Sequence, residues 1–337
     1  MTYSRARLLG TAAAFAAVLV LTACEGDALG SPTRTPKPIP TALSADTAES
    51  RPTEAPTSAP SPSPVPATPT AVATSGITFQ PEQLTQGGTT VVYLNETAVS
   101  ATLTFGGRQY AMSPAGGLWW AVIGIGAFAE PGTAPVSVSY TPSAGAGVRT
   151  VSRSIAITDH EYPISYITLE PSTAALLAPD IVNNEIAQRA SIFSGYTTQK
   201  LWSGPFRRPA GGDLSDRYGE ARSYNGAPAT DYHKGTDFIG NVGDPVNAAA
   251  AGRVVFAGEL KVRGNTIVVD HGLGVFSAYH HLSAIKVNQG DMVTPGQRIG
   301  DIGATGLVTG PHMHFEIIVR GIEVDAEFWL SGVSIGP

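Results

Sequence analysis

The last third of the sequence combines histidines and an aspartate at spacings that could support metal chemistry. His233 and Asp237 are four residues apart, and Gly235 between them favours a loop that leads into a strand. His312 and His314 lie in an alternating strand pattern, so both imidazoles are predicted to point to one face. Two histidines and one carboxylate around a zinc ion, with a fourth position open, form a catalytic rather than a structural arrangement.

A third histidine segment lies between these two pairs. Its alternation predicts one face formed by Phe276, Ala278, His280 and Leu282, and the other by Ser277, Tyr279, His281 and Ser283. We therefore expect His280 to make structural contacts and His281 to face a polar cleft. His271, in an Asp-His-Gly segment, is predicted to be a structural turn residue, and His160 to be solvated.

Composition excludes several other classes of site. The sequence contains 1 cysteine, Cys24, so it predicts neither an internal disulfide nor a cysteine-based metal site. A net charge of -6 offers no electrostatic attraction for a nucleic acid, and we expect no such partner.

The first residues predict export. Arg5 and Arg7 precede an apolar run over 8–21, and Leu21-Thr22-Ala23-Cys24 resembles the lipobox of bacterial lipoproteins. We predict a signal peptide over 1–23 and lipidation of Cys24; the alternative is an uncleaved signal anchor. Either interpretation places the following residues outside the cytoplasm and attached to a membrane. Residues 24–75 are rich in Pro, Ser, Thr and Ala, which predicts a disordered tether.

The remaining sequence predicts a mainly β protein. Strand patterns occur at 89–94, 101–105, 121–125, 136–140 and 151–158, which indicates a small β-sandwich domain over 76–160. Residues 171–191 predict one or two helices within a connector over 161–200. Strand patterns return at 252–257, 265–270, 274–282, 298–302 and 312–319, within a C-terminal domain over 201–337.

Three segments of the C-terminal domain carry a family resemblance: 233–238 (HKGTDF), 279–283 (YHHLS) and 310–316 (GPHMHFE). They resemble the signature motifs of the lysostaphin/LytM-type zinc endopeptidases, and the segments 243–248, 252–258, 270–272 and 295–297 match as well. The resemblance covers about 201–330 and implies an antiparallel β peptidase domain. The upstream sandwich resembles the immunoglobulin-like domain that precedes some peptidases of this family, through 119–125 and 131–133.

The resemblance also implies roles for individual residues. His233, Asp237 and His314 correspond to the zinc ligands, one zinc ion per chain. His281 and His312 correspond to the two histidines that act on the water and on the developing oxyanion, and which of them is the base stays open. Glu316 lies on the face of the two histidines and could orient a ligand, or it could be an exposed carboxylate. Asn184 and Asn225 lie upstream of the first motif, and either could approach the metal.

The function that the resemblance implies is hydrolysis of peptide bonds in peptidoglycan stems or cross-bridges by a metal-activated water. One alternative is a regulatory or binding module of the same fold that activates another wall hydrolase without cutting. A second alternative is a secreted peptidase that acts on proteins. The bond that is cut, the membrane that carries the anchor and the oligomeric state stay open at this stage.

Overall fold

A computed structural model of the chain describes residues 76–337. The predicted signal peptide, the predicted lipidation site Cys24 and the predicted tether all lie outside these residues. Between residues 76 and 337, no helix has the length and the apolar composition needed to cross a membrane. The described residues belong to one structural unit, Pro69–Pro337.

The N-terminal part is a sandwich of two sheets, with sheet orders β1-β3-β7-β6 and β2-β9-β8-β4-β5. Its strands are β1 (Ile77–Gln80), β2 (Gln83–Thr85), β3 (Thr89–Leu94), β4 (Ser100–Phe105), β5 (Arg108–Ala111), β6 (Ser113–Ala115), β7 (Leu118–Gly124), β8 (Gly132–Thr141) and β9 (Arg149–Thr158). Alternate residues of both sheets meet in one apolar core, among them Val92, Ile123, Leu103 and Ile155.

The first of these sheets is buried on both faces. Val92 faces the sandwich core, whereas its neighbour Val91 belongs to a second core that is shared with the C-terminal domain. Trp120 lies in this second core with Trp202 and Trp329, and the ring centroids of Trp120 and Trp202 are 6.3 Å apart. Because a strand alternates its side chains, one sheet can supply both cores, which explains the nearly continuous apolar runs of β3 and β7.

The segment between the two domains contains one strand and two helices: β10 (Ile164–Ile167), α1 (Pro171–Ala174), a 3-10 turn (Ala175–Leu177) and α2 (Pro179–Ile192). The prediction of helical pieces over 171–191 agrees with these elements. The apolar residues of α2 are not its buried ones, however. Ile186 is 58% exposed, and the buried side chains of this helix are Glu185 and Arg189.

The C-terminal domain is built on a long antiparallel sheet with the order β13-β21-β17-β16-β15-β19, and β22 pairs with β21. The elements of this domain are β11 (Ala221–Tyr224), β12 (Asp231–Tyr232), β13 (Thr236–Ile239), β14 (Pro245–Asn247), β15 (Gly252–Leu260), β16 (Gly264–Asp270), β17 (Val275–Leu282), β18 (Ala284–Ile285), β19 (Met292–Val293), β20 (Arg298–Asp301), β21 (His312–Val319), β22 (Ile322–Val324) and α3 (Ala326–Leu330).

Two small sheets flank the long one. β14, β20 and β18 form one of them, and β10, β11 and β12 form the other, in which β10 runs parallel to β11. The prediction of a mainly β chain, with an N-terminal sandwich, a short helical segment and an antiparallel C-terminal domain, is confirmed.

Candidate metal centre

His233, Asp237 and His314 meet at one point beside the long sheet. The Nε2 atom of His233 lies 2.8 Å from Nδ1 of His314 and 3.1 Å from Oδ1 of Asp237. Nδ1 of His314 lies 2.8 Å from the same Asp237 oxygen. Each of the three residues is 7% exposed, so the group is almost buried. One atom from each residue could therefore contact the same metal ion.

The sheet register positions two members of this group. Asp237 on β13 and His314 on β21 are directly paired across adjacent antiparallel strands, which places their side chains on one face. His233 precedes β13 and lies in a loop; its backbone N–H donates to the carbonyl oxygen of Glu220, and its carbonyl oxygen accepts from the N–H of Gly219. Gly235 lets this loop approach β21, because a Cβ atom there would overlap the carbonyl oxygen of Phe315.

The partners of the outer ring nitrogens indicate which nitrogens face the common point without a proton. Nδ1 of His233 lies 2.9 Å from the carbonyl oxygen of Arg217, which can only accept a hydrogen bond. Nε2 of His314 lies 3.1 Å from Oε1 of Glu316. Both of these nitrogens then carry the ring proton and donate it. Nε2 of His233 and Nδ1 of His314 are left unprotonated, and their lone pairs converge with the carboxylate of Asp237. A cation relieves that repulsion, so the donor set fits a metal ion.

Electrostatics within the group favour the metal-binding states of His233 and Asp237, and in the absence of a metal they favour a protonated His314. Burial lowers the pKa of His233, which keeps its ring neutral. Burial works against ionisation of Asp237, but His233 and His314 outweigh it and hold the pKa of this carboxyl well below its usual value. Burial likewise opposes protonation of His314, yet hydrogen bonds to Asp237 and Glu316 raise its pKa.

His281 and His312 lie next to this group. Their ring centroids are 4.8 Å apart, and Nε2 of His312 is 3.8 Å from Oδ2 of Asp237. Nδ1 of His281 donates to the carbonyl oxygen of Thr305 at 2.8 Å, and Nδ1 of His312 donates to that of Gly310 at 2.9 Å. Each ring therefore keeps Nε2 available for proton transfer. Burial holds the pKa of His281 well below its ordinary value.

The regular alternation from which the orientation of His281 was predicted does not extend to this residue. Tyr279, assigned to the same face, lies in the apolar core against Phe315, and its hydroxyl accepts a hydrogen bond from the backbone N–H of Ala249. His281 has a φ of 60°, a left-handed conformation that turns its side chain out of the regular alternation. This local bend, rather than strand parity, places its ring near the metal group.

Glu316 also has a defined position behind the metal group. It is 0% exposed, which excludes the alternative of an exposed strand carboxylate. Together with His280 and His314 it forms a second group that could hold a metal ion. Its oxygens already accept hydrogen bonds from two guanidinium groups, those of Arg189 at 2.7 Å and Arg263 at 3.1 Å. Because these cations neutralise the carboxylate, the group of His233, Asp237 and His314 is the better metal site.

The two arginines were missed in the sequence analysis. Arg189 is separated from Glu316 by 127 positions, and no spacing rule connects them. The available signal was the pair Glu185 and Arg189, four residues apart on α2, but such pairs are common on exposed helix faces. Of the two asparagines considered upstream, Asn184 is exposed on α2, and Asn225 accepts a hydrogen bond from Leu169 N.

The remaining histidines have structural surroundings. His280 is 0% exposed, and its Nδ1 lies 2.9 Å from the hydroxyl of Thr266. Nδ1 of His271 donates to the carbonyl oxygen of Ala251 at 2.8 Å. Burial lowers the pKa of His271 to about 4 and that of His280 to about 3. His160 is exposed and contacts the ring of Tyr162.

An antiparallel sheet with a nearly buried His/Asp/His group and two adjacent imidazoles has the features of a hydrolytic metal centre. Comparison with known families agrees with this class. Residues 231–326 match the family described as Peptidase family M23.

Individual proteins are similar over longer stretches. The peptidoglycan DD-endopeptidase ShyA of Vibrio cholerae is 38% identical over 144 residues, 43% of this chain and 31% of that protein. The murein hydrolase activator NlpD of Salmonella dublin is 32% identical over 154 residues, 45% of this chain and 37% of that protein. The chain thus spans about a third of the length of these curated relatives.

One solved structure resembles both domains. It is a crystal structure from Pseudomonas aeruginosa described as a peptidase M23, with a TM-score of 0.57 and 27% sequence identity. The similarity covers 74% of this chain and 96% of that one. That share exceeds the segment matched by the family, so the likeness in fold extends beyond the peptidase domain.

Proposed function

We propose that this protein is a zinc-dependent endopeptidase that hydrolyses peptide bonds of peptidoglycan. The observation that carries the proposal is the convergence of His233, Asp237 and His314, with ligand atoms 2.8–3.1 Å apart, next to the free Nε2 atoms of His281 and His312. Two imidazole nitrogens and one carboxylate oxygen leave a position open for water or substrate, as catalytic zinc sites do.

His233, Asp237 and His314 would hold one zinc ion per chain. When bound, zinc polarises a carbonyl group and makes water a stronger acid. The chain supplies the proton transfer. His281 is neutral because burial lowers its pKa, so its Nε2 can accept a proton. His312 is the more exposed of the two, at 18% of its side chain, and is suited to contact the substrate. The pair can move a proton between water and the leaving amine.

Peptidoglycan is proposed as the substrate because of the relatives. The family match and the similarity to a peptidoglycan DD-endopeptidase support a bond between D-amino acids as the target. The substrate lies outside the cytoplasm, in agreement with the predicted export signal. We further propose that Cys24 carries a lipid anchor and that residues 24–75 connect it to the folded part. A tether of about 50 residues in the polyproline II conformation would reach roughly 155 Å.

The experiment uses the purified protein from residue 76 onward. It is expected to contain close to one zinc ion per chain and to release soluble fragments from peptidoglycan, and their masses identify the bond that is cut. His314→Ala is expected to lose both properties, and His160→Ala, a change at an exposed histidine, is expected to keep both. Retained zinc and activity in His314→Ala would contradict the ligand assignment.

A second candidate function is activation of another wall hydrolase without cleavage. The observation in its favour is the similarity to a protein named murein hydrolase activator. The presence of a full His/Asp/His group with two further imidazoles favours the enzyme. Bound zinc without cleavage of any peptidoglycan type, together with stimulation of a second hydrolase in the same assay, would favour the activator.

A further inference from the structure

Helix α2 contacts the peptidase domain through Ile192 at its C-terminal end and, further along the helix, through charged side chains. Its buried side chains are Glu185 and Arg189, and Ile186 between them is 58% exposed. Burying charges on a helix face is costly, and apolar residues of similar volume would dock the helix at least as firmly. The charges therefore call for an explanation other than stability.

Arg189 is connected to the proposed metal ligand His314 through one residue, Glu316. Its Nη2 donates to Oε2 of Glu316 at 2.7 Å and to Oε1 of Glu323 at 2.8 Å. The other oxygen of Glu316, Oε1, lies 3.1 Å from Nε2 of His314. A carboxylate that accepts from the outer nitrogen of a ligand histidine fixes the tautomer and the orientation of the ring. Arg189 holds this carboxylate in place.

Glu185 is connected to the carboxylate of Glu316 and to the backbone of His281 by hydrogen bonds through the turn 261–263. Its Oε2 accepts from Val262 N at 2.5 Å, and its Oε1 accepts from Nη1 of Arg263 at 2.9 Å. Nε of Arg263 donates to Oε1 of Glu316 at 3.1 Å. The carbonyl oxygen of Arg263 accepts the backbone N–H of His281 at 2.9 Å. The turn thus contacts both Glu316, behind the proposed ligand His314, and His281.

We propose that Glu185 and Arg189 are positioning residues of the metal centre, with α2 as the element that carries them. Arg189 acts through Glu316 on the ring of His314. Glu185 acts through the turn 261–263 on Glu316 and on the backbone of His281. The inference rests on the proposed zinc site, and it assigns to a helix outside the matched family segment a part in holding that site.

The test measures the zinc dissociation constant of the protein from residue 76 onward by competition with a chromophoric chelator. Arg189→Met is expected to weaken zinc binding about 10–100-fold, the usual effect of losing an outer partner of a metal ligand. Glu185→Gln is expected to act in the same direction and to lower kcat more than it raises KM. The matched control is Gln188→Met on the exposed face of α2, which is expected to bind zinc like the wild type.

A double variant distinguishes positioning from general stabilisation. If Arg189 acts through Glu316, Arg189→Met combined with Glu316→Gln binds zinc no more weakly than Glu316→Gln alone. Independent, multiplying effects would overturn the proposal, as would a wild-type zinc dissociation constant in Arg189→Met. If Arg189→Met does not fold, Arg189→Lys decides: weakened zinc binding supports the proposal, and unchanged binding overturns it. A wild-type protein that binds no zinc contradicts the proposed function instead.

Discussion

His280 and His281 are consecutive in the sequence, yet both rings lie beside His314, with centroid distances of 5.4 and 6.0 Å. In a regular strand their side chains would point to opposite faces. The register shows how this is avoided. Two residues of β17, His280 and His281, lie opposite a single residue of β16, Thr266. This extra residue makes a bulge. The bulge brings both rings to the centre, His280 in contact with the hydroxyl of Thr266 and His281 beside His312.

The first prediction separates chemistry from metal binding. His281→Ala and His312→Ala are each expected to keep zinc and to lose activity about 10²–10⁴-fold, because each removes a proton-transfer group and no proposed ligand. Zinc content and kcat on peptidoglycan fragments are measured on the same samples. Loss of zinc from either variant would contradict the division of the histidines into two ligands and two acid-base groups.

The second prediction concerns pH and His271. Because burial lowers the pKa of His271 from 6.5 to about 4, the unfolded chain binds a proton there between these values that the folded chain does not. The free energy of unfolding therefore falls as the pH falls through this window, by about 3 kcal/mol from this residue. Urea unfolding of the metal-free protein at several pH values measures the slope.

Between pH 6.5 and 4, the free energy of unfolding of His271→Gln is expected to fall less than that of the wild type. His160→Asn serves as the control, because it removes an exposed histidine outside the core. An equal slope in the wild type and in His271→Gln would show that the buried ring does not contribute.

The third prediction compares two glycines with similar backbone conformations. Gly272 has a φ of 87° and Gly290 a φ of 100°, so an alanine at either position costs about 1–2 kcal/mol. Only at Gly272 would the added Cβ overlap a neighbour, the carbonyl oxygen of Gln199. Gly272→Ala is therefore expected to reduce the free energy of unfolding by at least ~1 kcal/mol more than Gly290→Ala. Equal losses of unfolding free energy in chemical denaturation would show that the segment around Gln199 moves to accommodate the Cβ atom without a cost in stability.

The fourth prediction concerns the core between the two domains. Trp329 packs against Trp202 at a centroid distance of 6.4 Å, and its indole N–H donates to the hydroxyl of Thr89 in the sandwich. Because this core joins both domains, they are expected to unfold in one calorimetric transition. Trp329→Ala is expected to lower the stability of both by about 3–5 kcal/mol. Two separate transitions in the wild type would contradict this coupling.

Local patterns predicted the long strands well. The patterns at 89–94 and 312–319 coincide with β3 and β21, and the other predicted strands overlap observed ones. The two-residue strands, such as β12 and β19, were missed because two positions contain no measurable period. Their pairing depends on neighbours that are distant in sequence.

The arrangement of the centre was only partly accessible from the sequence. Strand alternation correctly put His312, His314 and Glu316 on one side of β21, since that strand is regular. It failed at His281, where a bulge interrupts the period. It also gave no hint that Arg189 would reach Glu316, since a buried charge contact between distant segments is decided by the packing of whole elements.

The contact between Arg189 and Glu316 bears on how a catalytic fragment should be designed. A fragment limited to residues 231–326 would retain His233, Asp237 and His314 but would omit Arg189. Glu316, which is 0% exposed when α2 is present, would then lose one of the two cations that neutralise it. A fragment that keeps the proposed metal centre intact should therefore begin ahead of Pro179, where α2 starts, and not at the first recognisable motif.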